Sequence, residues 1–314
     1  MNLLASFRYL VALDEHRHFG RAAMACHITQ PALSNAIRAL EDEFKVVIVK
    51  RSRAYAGLTP EGERVLAAAQ RMLHEHNLLQ QELGSEAERP RGPLRLGAVP
   101  TAMPVLARFA AMLQARHPGI QPVVLSMSSS AIEAGLENLS LDLALGYTER
   151  MKLRDGPLTA WPQYVEHYFL LRRAALPGEA SLRIGAPVRW SEAARLPLTL
   201  LTPDMHNRTI IDSAFVTAGT PIGPAIETNS IFTLALSVVA GSVCSVMPGA
   251  LVDAVSGYRE LEACPLIEPS IRTPIGFMAP SQVPRSRALQ AAVALAEDAD
   301  WLAHAGAHSG LLGA

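Results

Sequence analysis

The stretch Arg21-Ala22-Ala23-Met24-Ala25-Cys26-His27-Ile28-Thr29-Gln30-Pro31-Ala32-Leu33-Ser34-Asn35-Ala36-Ile37-Arg38-Ala39-Leu40-Glu41-Asp42-Glu43 reads as two short helices meeting at a sharp corner. Ala22, Ala23 and Ala25 carry almost no side chain, so a neighbouring helix can cross close to them. Thr29 suits an N-cap, and Pro31 falls in the first turn of the second helix, where a missing N–H costs nothing. Leu33, Ile37, Leu40 and Phe44 recur at helical spacing, so one stripe of that helix is expected to face a core.

Ser34, Asn35 and Arg38 project from the opposite side, with Gln30 and Pro31 at its N-terminal end. Arginine can bridge guanine O6 and N7, Asn or Gln can pair with adenine, and Ser can donate to bases or phosphates. A merely solvated helix face is also polar, and the corner before this one favours DNA reading. Val46 to Val49, then Lys50-Arg51-Ser52-Arg53 and Leu58, read as a two-stranded wing with Gly57 helping the turn. Lys50, Arg51 and Arg53 would contact phosphates or enter a minor groove, whose negative potential attracts cations.

These residues resemble the LysR-type transcriptional regulators. The matching runs are Phe7-Arg8-Tyr9-Leu10-Val11-Ala12, Phe19-Gly20-Arg21-Ala22-Ala23, Thr29-Gln30-Pro31-Ala32-Leu33-Ser34, Ile37-Arg38-Ala39-Leu40-Glu41 and Leu58-Thr59-Pro60-Glu61-Gly62-Glu63. An ordered set of this kind is far more specific than any single motif. Three positions depart from the family pattern: Asn35 where a long basic residue is frequent, Lys45 where glycine is usual, and Val49 where an aromatic is common.

Composition is compatible with that resemblance. The 314 residues suit two or three domains, and 49% hydrophobic with 18% charged residues indicates folded material. The net charge of -1 hides a polarity, because residues 1–60 carry eight Lys or Arg against five Asp or Glu. The three cysteines, Cys26, Cys244 and Cys264, leave one unpaired under any pairing and lack metal-ligand spacing, so a reducing cytoplasm is the expected setting. Some members of the resembled family sense oxidants through a cysteine pair, which marks Cys244 with Cys264, although buried core thiols are the plainer reading. The start, Met-Asn-Leu-Leu-Ala-Ser-Phe-Arg, lacks the basic flank and apolar run of a signal peptide, and no membrane span is expected.

Three domains are expected: a winged helix-turn-helix over 1–59, a linker and dimerisation helix over 60–89, and an effector-binding domain over 90–314. Thr59-Pro60-Glu61 opens the long helix, and Val65, Ala69, Met72, His76, Leu79 and Leu83 repeat at the spacing of a helix that packs lengthwise on another. Pro90, Gly92 and Pro93 mark a hinge-like linker. Beyond it, strands alternate with helices, which implies an α/β fold with parallel sheets. Lobe I would take about 90–162 and 268–314, with one amphipathic helix over Arg285 to His304, and lobe II about 163–267. Two lobes joined by two crossings resemble the family's effector domain, itself similar to periplasmic binding proteins.

In open α/β sheets, ligands bind beyond the carboxyl ends of the strands, where helix N-termini present free N–H groups. Here those ends carry Thr101, Ser128, Ser129, Thr202 and Asn229, with Tyr147 and Asn207 nearby. Capping explains part of this pattern, since Ser130 with Glu133 fits a capping box and Asp204 fits the cap of the helix that follows. The family resemblance places effector contacts at the same strand ends. Arg208 fits either an effector carboxylate or a salt bridge.

No nucleophile, base and orienter occur at catalytic spacing, and 94–104 holds neither a G-x-G-x-x-G nor a phosphate-binding loop. No enzymatic activity, metal or cofactor is therefore expected. The resemblance implies a cytoplasmic homotetramer, a dimer of dimers, on double-stranded promoter DNA, contacting RNA polymerase and answering a small-molecule effector. The segment Leu201-Thr202-Pro203-Asp204-Met205-His206-Asn207-Arg208, with Met127-Ser128-Ser129, resembles a subgroup often associated with formate metabolism, which favours a small carboxylate. A secreted solute-binding protein or an enzyme with a regulatory head would share the lobes; the first would lack the DNA reader.

Overall fold

A computed structural model describes residues 2–50, 55–84, 89–150, 157–281 and 283–309. The chain divides into two compact units, Met1–Glu86 with Asn138–Ser140, and Ala87–Glu137 with Leu141–Ala314.

In the first unit, α1 (Leu3–His16), α2 (Phe19–Ala25) and α3 (Gln30–Phe44) each begin at a side-chain cap. Asn2 Oδ1 accepts from the Ala5 N–H at 3.2 Å, His18 Nδ1 from the Gly20 N–H at 3.0 Å, and Thr29 Oγ1 from the Ala32 N–H at 3.3 Å. At the corner between α2 and α3, His27 takes a left-handed φ of 55° and the Ile28 N–H reaches the Ala23 carbonyl at 3.0 Å. Ala22 and Ala23 are buried there, as the close crossing requires, whereas Ala25 is exposed and takes no part in it. Leu33, Ile37 and Leu40 join Phe7, Leu10 and Leu13 in the core. Phe44 departs from that stripe: it is 40% exposed and stacks on Phe7 with ring centroids 6.3 Å apart.

The wing, within the described residues, comes down to one antiparallel bridge between Val49 and Leu58. The Lys50 N–H donates to the Gly57 carbonyl at 3.0 Å, and Gly57 supplies the turn with a φ of 97°. Arg51 and Arg53 lie outside the described residues. Glu41 ties α3 to the strand that follows, its Oε1 accepting from the N–H groups of Ile48 at 2.8 Å and Val49 at 3.2 Å. Next, α4 (Pro60–Gly84) starts on Thr59, whose Oγ1 accepts from the Gly62 N–H at 2.9 Å. A Cβ at Gly62 would run into the Ile48 carbonyl, so only glycine admits this approach. Val65, Leu66, Ala69 and Leu73 pack on the first unit's core, while Met72, Leu79 and Leu83 are exposed.

In the second unit, lobe I contains β1 (Gly92–Ala98), α5 (Met103–Arg116), β2 (Ile120–Ser126), α6 (Ser129–Glu137), β3 (Leu143–Tyr147) and β4 (Leu158–Glu166). Lobe II contains β5 (Tyr168–Arg173), β6 (Arg183–Ile184), β7 (Val188–Arg189), α7 (Trp190–Ala193), β8 (Leu198–Leu201) and α8 (His206–Thr217). It continues through β9 (Ile226–Thr228), α9 (Ile231–Ala240), β10 (Cys244–Pro248), α10 (Gly249–Ala254) and β11 (Leu261–Ile267). The chain then returns to lobe I as β12 (Thr273–Pro280), α11 (Arg287–Ala296) and α12 (Ala299–Ala307).

The sheet orders are β2-β1-β3-β12-β4 and β6-β11-β5-β10-β8-β9, with β7 on β11. In both, the three strands β2-β1-β3 and β10-β8-β9 run parallel, as the alternating pattern suggests. The strands at the lobe crossings break that expectation, because β12 and β5 pair antiparallel with both their neighbours. A chain that leaves a lobe and comes back must reverse direction. The first crossing is short: β4 stays in the first sheet through Glu166, beyond the expected lobe limit, and β5 begins at Tyr168. The expected single helix after Arg285 is two, since Asp298 Oδ1 accepts from the Trp301 N–H at 3.0 Å and starts a new cap.

Each lobe has its own aromatic centre. Phe109 packs on Phe277 and Trp301 at 4.4 and 4.9 Å in the first, and Trp190 meets Phe215 edge-on at 5.0 Å in the second. Cys244 and Cys264 are buried in the second core on β10 and β11, with β5 between them. Two strand spacings put their backbones roughly 10 Å apart, beyond the ~7 Å limit for a disulfide. They are core residues.

Candidate DNA-reading face and effector site

On α3, positions 30, 34 and 38 and positions 31 and 35 are each one turn apart and share one face. Gln30, Pro31, Asn35 and Arg38 are exposed and Ser34 is half-buried, and Lys50 is exposed at the start of the wing. No ion pair among the described residues uses Arg38, so its guanidinium is free to meet a partner. Packing on the opposite stripe fixes the helix and leaves this polar face outward.

The second candidate site lies where the strand ends of the two lobes meet. Thr101 follows β1 in a short 3-10 turn and is fully buried. Its hydroxyl lies 3.0 Å from the hydroxyl of Tyr147, the last residue of β3, and also bonds the Glu166 carboxyl at the end of β4. From lobe II, Tyr168 donates to Glu166 Oε2 at 3.5 Å and contacts the Thr273 hydroxyl at 3.3 Å, while Asn207 lies beside the Tyr147 hydroxyl. The His206 ring meets Tyr147 edge-on at 4.9 Å.

Glu166 is fully buried, and none of the ion pairs among the described residues includes it. Burial drives its pKa up to about 8 against the pull of the Thr101 and Tyr168 hydrogen bonds, so it holds its proton at neutral pH. Burial also pushes the hydroxyls of Tyr147, Tyr164 and Tyr168 well above their ordinary range, and Glu166 adds to this. At the rim, Arg150 bridges the lobes, its Nε on Glu133 at 3.0 Å and its Nη1 3.2 Å from His206 Nδ1. Burial, then Arg150, lower the His206 pKa.

Five buried polar atoms in and around this cluster have no hydrogen-bond partner: Ser129 Oγ, Tyr164 OH, Glu166 Oε1, Thr202 Oγ1 and Asn207 Nδ2. Burying such groups unpaired costs about 1–3 kcal/mol each; Tyr164, Glu166 and Asn207 belong to the cluster itself, while Ser129 opens α6 and Thr202 lies in the turn before α8. The N-terminus of α8 adds free donors, because its cap position is Met205, which offers no side-chain acceptor. Hydroxyls, an amide and a helix N-terminus can together receive an anionic group.

The expected residues divide accordingly. Thr101, Ser129, Tyr147, Thr202 and Asn207 all lie at the cluster or in the helix turns bordering it. Ser128 is instead the cap of α6, its Oγ accepting from the Ala131 N–H at 3.3 Å, two residues earlier than the Ser130 and Glu133 box would place it. Asp204 is exposed and caps nothing, and Asn229 is exposed beyond β9. Arg208 is buried and fully engaged with Asp212 at 2.8 Å, Glu227 at 2.6 Å and the Leu201 carbonyl at 3.0 Å, so it is a strut under the site. The sequence reading missed Glu166, Tyr164 and Tyr168. Their alternation at period two, Tyr164-x-Glu166-x-Tyr168, was the available signal, since extended backbone turns all three the same way.

Comparison with known proteins assigns both halves of the chain to one family. The description "Bacterial regulatory helix-turn-helix protein, lysR family" matches residues 4–63, and "LysR substrate binding domain" matches 87–301. A "Hydrogen peroxide-inducible genes activator" of Pectobacterium carotovorum is 35% identical over 143 residues, 45% of this chain, so the match spans about half (47%) of that relative's length. The "DNA-binding transcriptional dual regulator OxyR" of Escherichia coli is 29% identical over 301 residues, covering 93% of this chain and 94% of that protein. Among solved structures, a full-length variant of OxyR from Pseudomonas aeruginosa superposes with a TM-score of 0.66 at 26% identity, covering 93% of this chain and 96% of that one. CbnR in complex with its target DNA shares the fold, with a TM-score of 0.63 at 18% identity over 96% of this chain and 99% of that one.

Proposed function

Because the chain belongs to the LysR family of bacterial regulators, we propose that it binds promoter DNA through the outer face of α3 and the wing, and that an effector held between the lobes sets transcription. Gln30, Pro31, Ser34, Asn35 and Arg38 read base edges, while Lys50, Arg51 and Arg53 hold phosphates. Residues 60–89 link and pair the subunits of a dimer of dimers that works in the cytoplasm and contacts RNA polymerase. No helix among the described residues is long and apolar enough to cross a membrane.

The single observation that carries the effector site is the set of five unpartnered buried polar atoms around the lobe junction. A ligand that satisfies them offsets the cost of their burial, and it touches both lobes, so it biases their arrangement. The donors at Ser129, Thr202, Asn207 and the α8 N-terminus favour an anionic end such as a carboxylate. The segment that resembles the formate-associated subgroup contributes Thr202, His206 and Asn207 along with Ser129, whereas Asp204 is exposed and Arg208 is already paired.

The names of the relatives raise thiol oxidation as a second reading. Cys26 lies at the helix-turn-helix corner, Cys244 on β10 and Cys264 on β11, all free. Burial raises the pKa of all three, whereas a peroxide-reactive thiol needs a lowered one. A bound effector therefore fits this chain better. The test is a gel shift with the fragment that purified protein captures from sheared genomic DNA. Specific retention is expected, with the footprint changed by effector. Failure to prefer any fragment over random DNA would sink the regulator reading.

A further inference from the structure

The effector site holds one group that an anion alone leaves unexplained. Glu166 sits at the crossing between the lobes with Oε2 accepting from Tyr168 and Thr101 beside the carboxyl, yet Oε1 has no hydrogen-bond partner although the residue is fully buried. The Tyr164 hydroxyl, from the same strand face, is also unpartnered. Titratable groups around the carboxyl are Tyr147 on β3, Tyr164 on β4 and Tyr168 on β5, with Glu149 acting from the turn after β3 on Tyr147 and Tyr168. No cation of the described residues pairs with it. A buried carboxyl with a free oxygen beside phenol oxygens that can accept hydrogen bonds suits a cation with several N–H donors, which is an ammonium.

Resting on the interlobe effector site proposed above, we propose that the effector carries a protonated amine as well as an anionic end, as an amino acid does, and that Glu166 recognises the amine. The ammonium donates to Glu166 Oε1 and to the Tyr164 hydroxyl oxygen. The anionic end meets Ser129, Thr202, Asn207 and the open N-terminus of α8. Glu166 gives up its proton to solvent as the ammonium arrives, because only the carboxylate pairs with a cation. High burial, which keeps Glu166 protonated, thus makes binding near neutral pH a proton-releasing event.

The experiment uses the full chain. A panel of amino acids is screened by thermal shift, and each hit is compared by calorimetry with its des-amino carboxylic acid, in phosphate and in Tris, whose ionisation heats differ. The amino acid is expected to bind wild type about tenfold or more tightly than its des-amino partner and to release a proton. Glu166→Gln should bring the two compounds together and abolish the release. Des-amino acids that bind wild type as well as the amino acids would overturn the amine while leaving the effector site standing, provided Thr202→Val weakens them. That comparison needs no folded Glu166 variant. A preference for the amine that survives Glu166→Gln would remove Glu166 from recognition, and a panel in which neither class shifts the protein would overturn both the amine and the proposed anionic effector.

Discussion

Lys45 ends α3 in the left-handed region, with φ 53° and ψ 40°, at the position where the family pattern favours glycine. Its side chain is exposed and no ion pair among the described residues holds it, so only the backbone is strained. Lys45→Gly is expected to stabilise the first unit by up to about 1 kcal/mol, part of the relief being offset by the freer unfolded chain. Urea unfolding followed by far-UV dichroism reads this directly. Arg38, on the same helix, is expected to matter for sequence choice: Arg38→Ala should cost about 1–3 kcal/mol on a specific site and little on random DNA. Equal losses on both would make it a phosphate contact.

Glu166 gives the molecule a pH dependence of unusual sign. Its folded pKa of about 8 lies above its unfolded value near 4.5, so the folded state binds the extra proton between those limits. Stability then falls as pH rises through that window and levels off above it, on the order of a few kcal/mol in all. Glu166→Gln should flatten this slope, with the largest gain over wild type above pH 8. Unfolding curves that stay parallel from pH 5 to pH 9 would show that the carboxyl reaches solvent. Thr101 and Thr202 separate in the same way. Thr202→Val removes an unpartnered hydroxyl and should weaken effector binding without loss of stability, whereas Thr101→Val breaks the ties to Tyr147 and Glu166 and should lower both.

At the scale of elements, α4 is two helices in one. Its first half packs on the first unit's core through Val65, Leu66, Ala69 and Leu73, and its second half leaves Leu79 and Leu83 54% and 79% exposed. An apolar stripe that its own chain leaves uncovered fits a second subunit. Leu79→Asp should bury a charge in that seam, at a cost of several kcal/mol, and light scattering should report dissociation. An unchanged mass would mean the stripe stays in solvent. The stripe was legible because its period is that of a helix, and so was the corner at 26–31, where cap, proline and small residues agree. Less was legible where tertiary contacts decide. Phe44 kept the helical period but ended beside Phe7 at the surface, and the last helix broke at Asp298 because a side chain found a closer N–H to accept.

On the scale of the whole molecule, the strand ends were readable and the crossing was not. Thr101, Ser129 and Thr202 stand where parallel strands end, a place that sequence order predicts. Glu166 stands where the chain changes lobes, and its environment is made by β1, β3, β4 and β5 together, which no local pattern encodes. The separation of Cys244 from Cys264 comes from the same assembly, since the strand order puts β5 between them. A Cys244→Ser, Cys264→Ser double variant is accordingly expected to keep its regulatory response in a reporter strain.

The central claim is that DNA reading and effector sensing reside in separate sites of one regulator. The most direct test fuses the captured promoter fragment to a reporter and compares wild type with a Ser129→Ala, Thr202→Val double variant across growth conditions, measuring DNA affinity of both purified proteins alongside. Equal DNA affinity is expected, with a reporter that no longer changes with conditions. A double variant that responds as wild type does would contradict that claim.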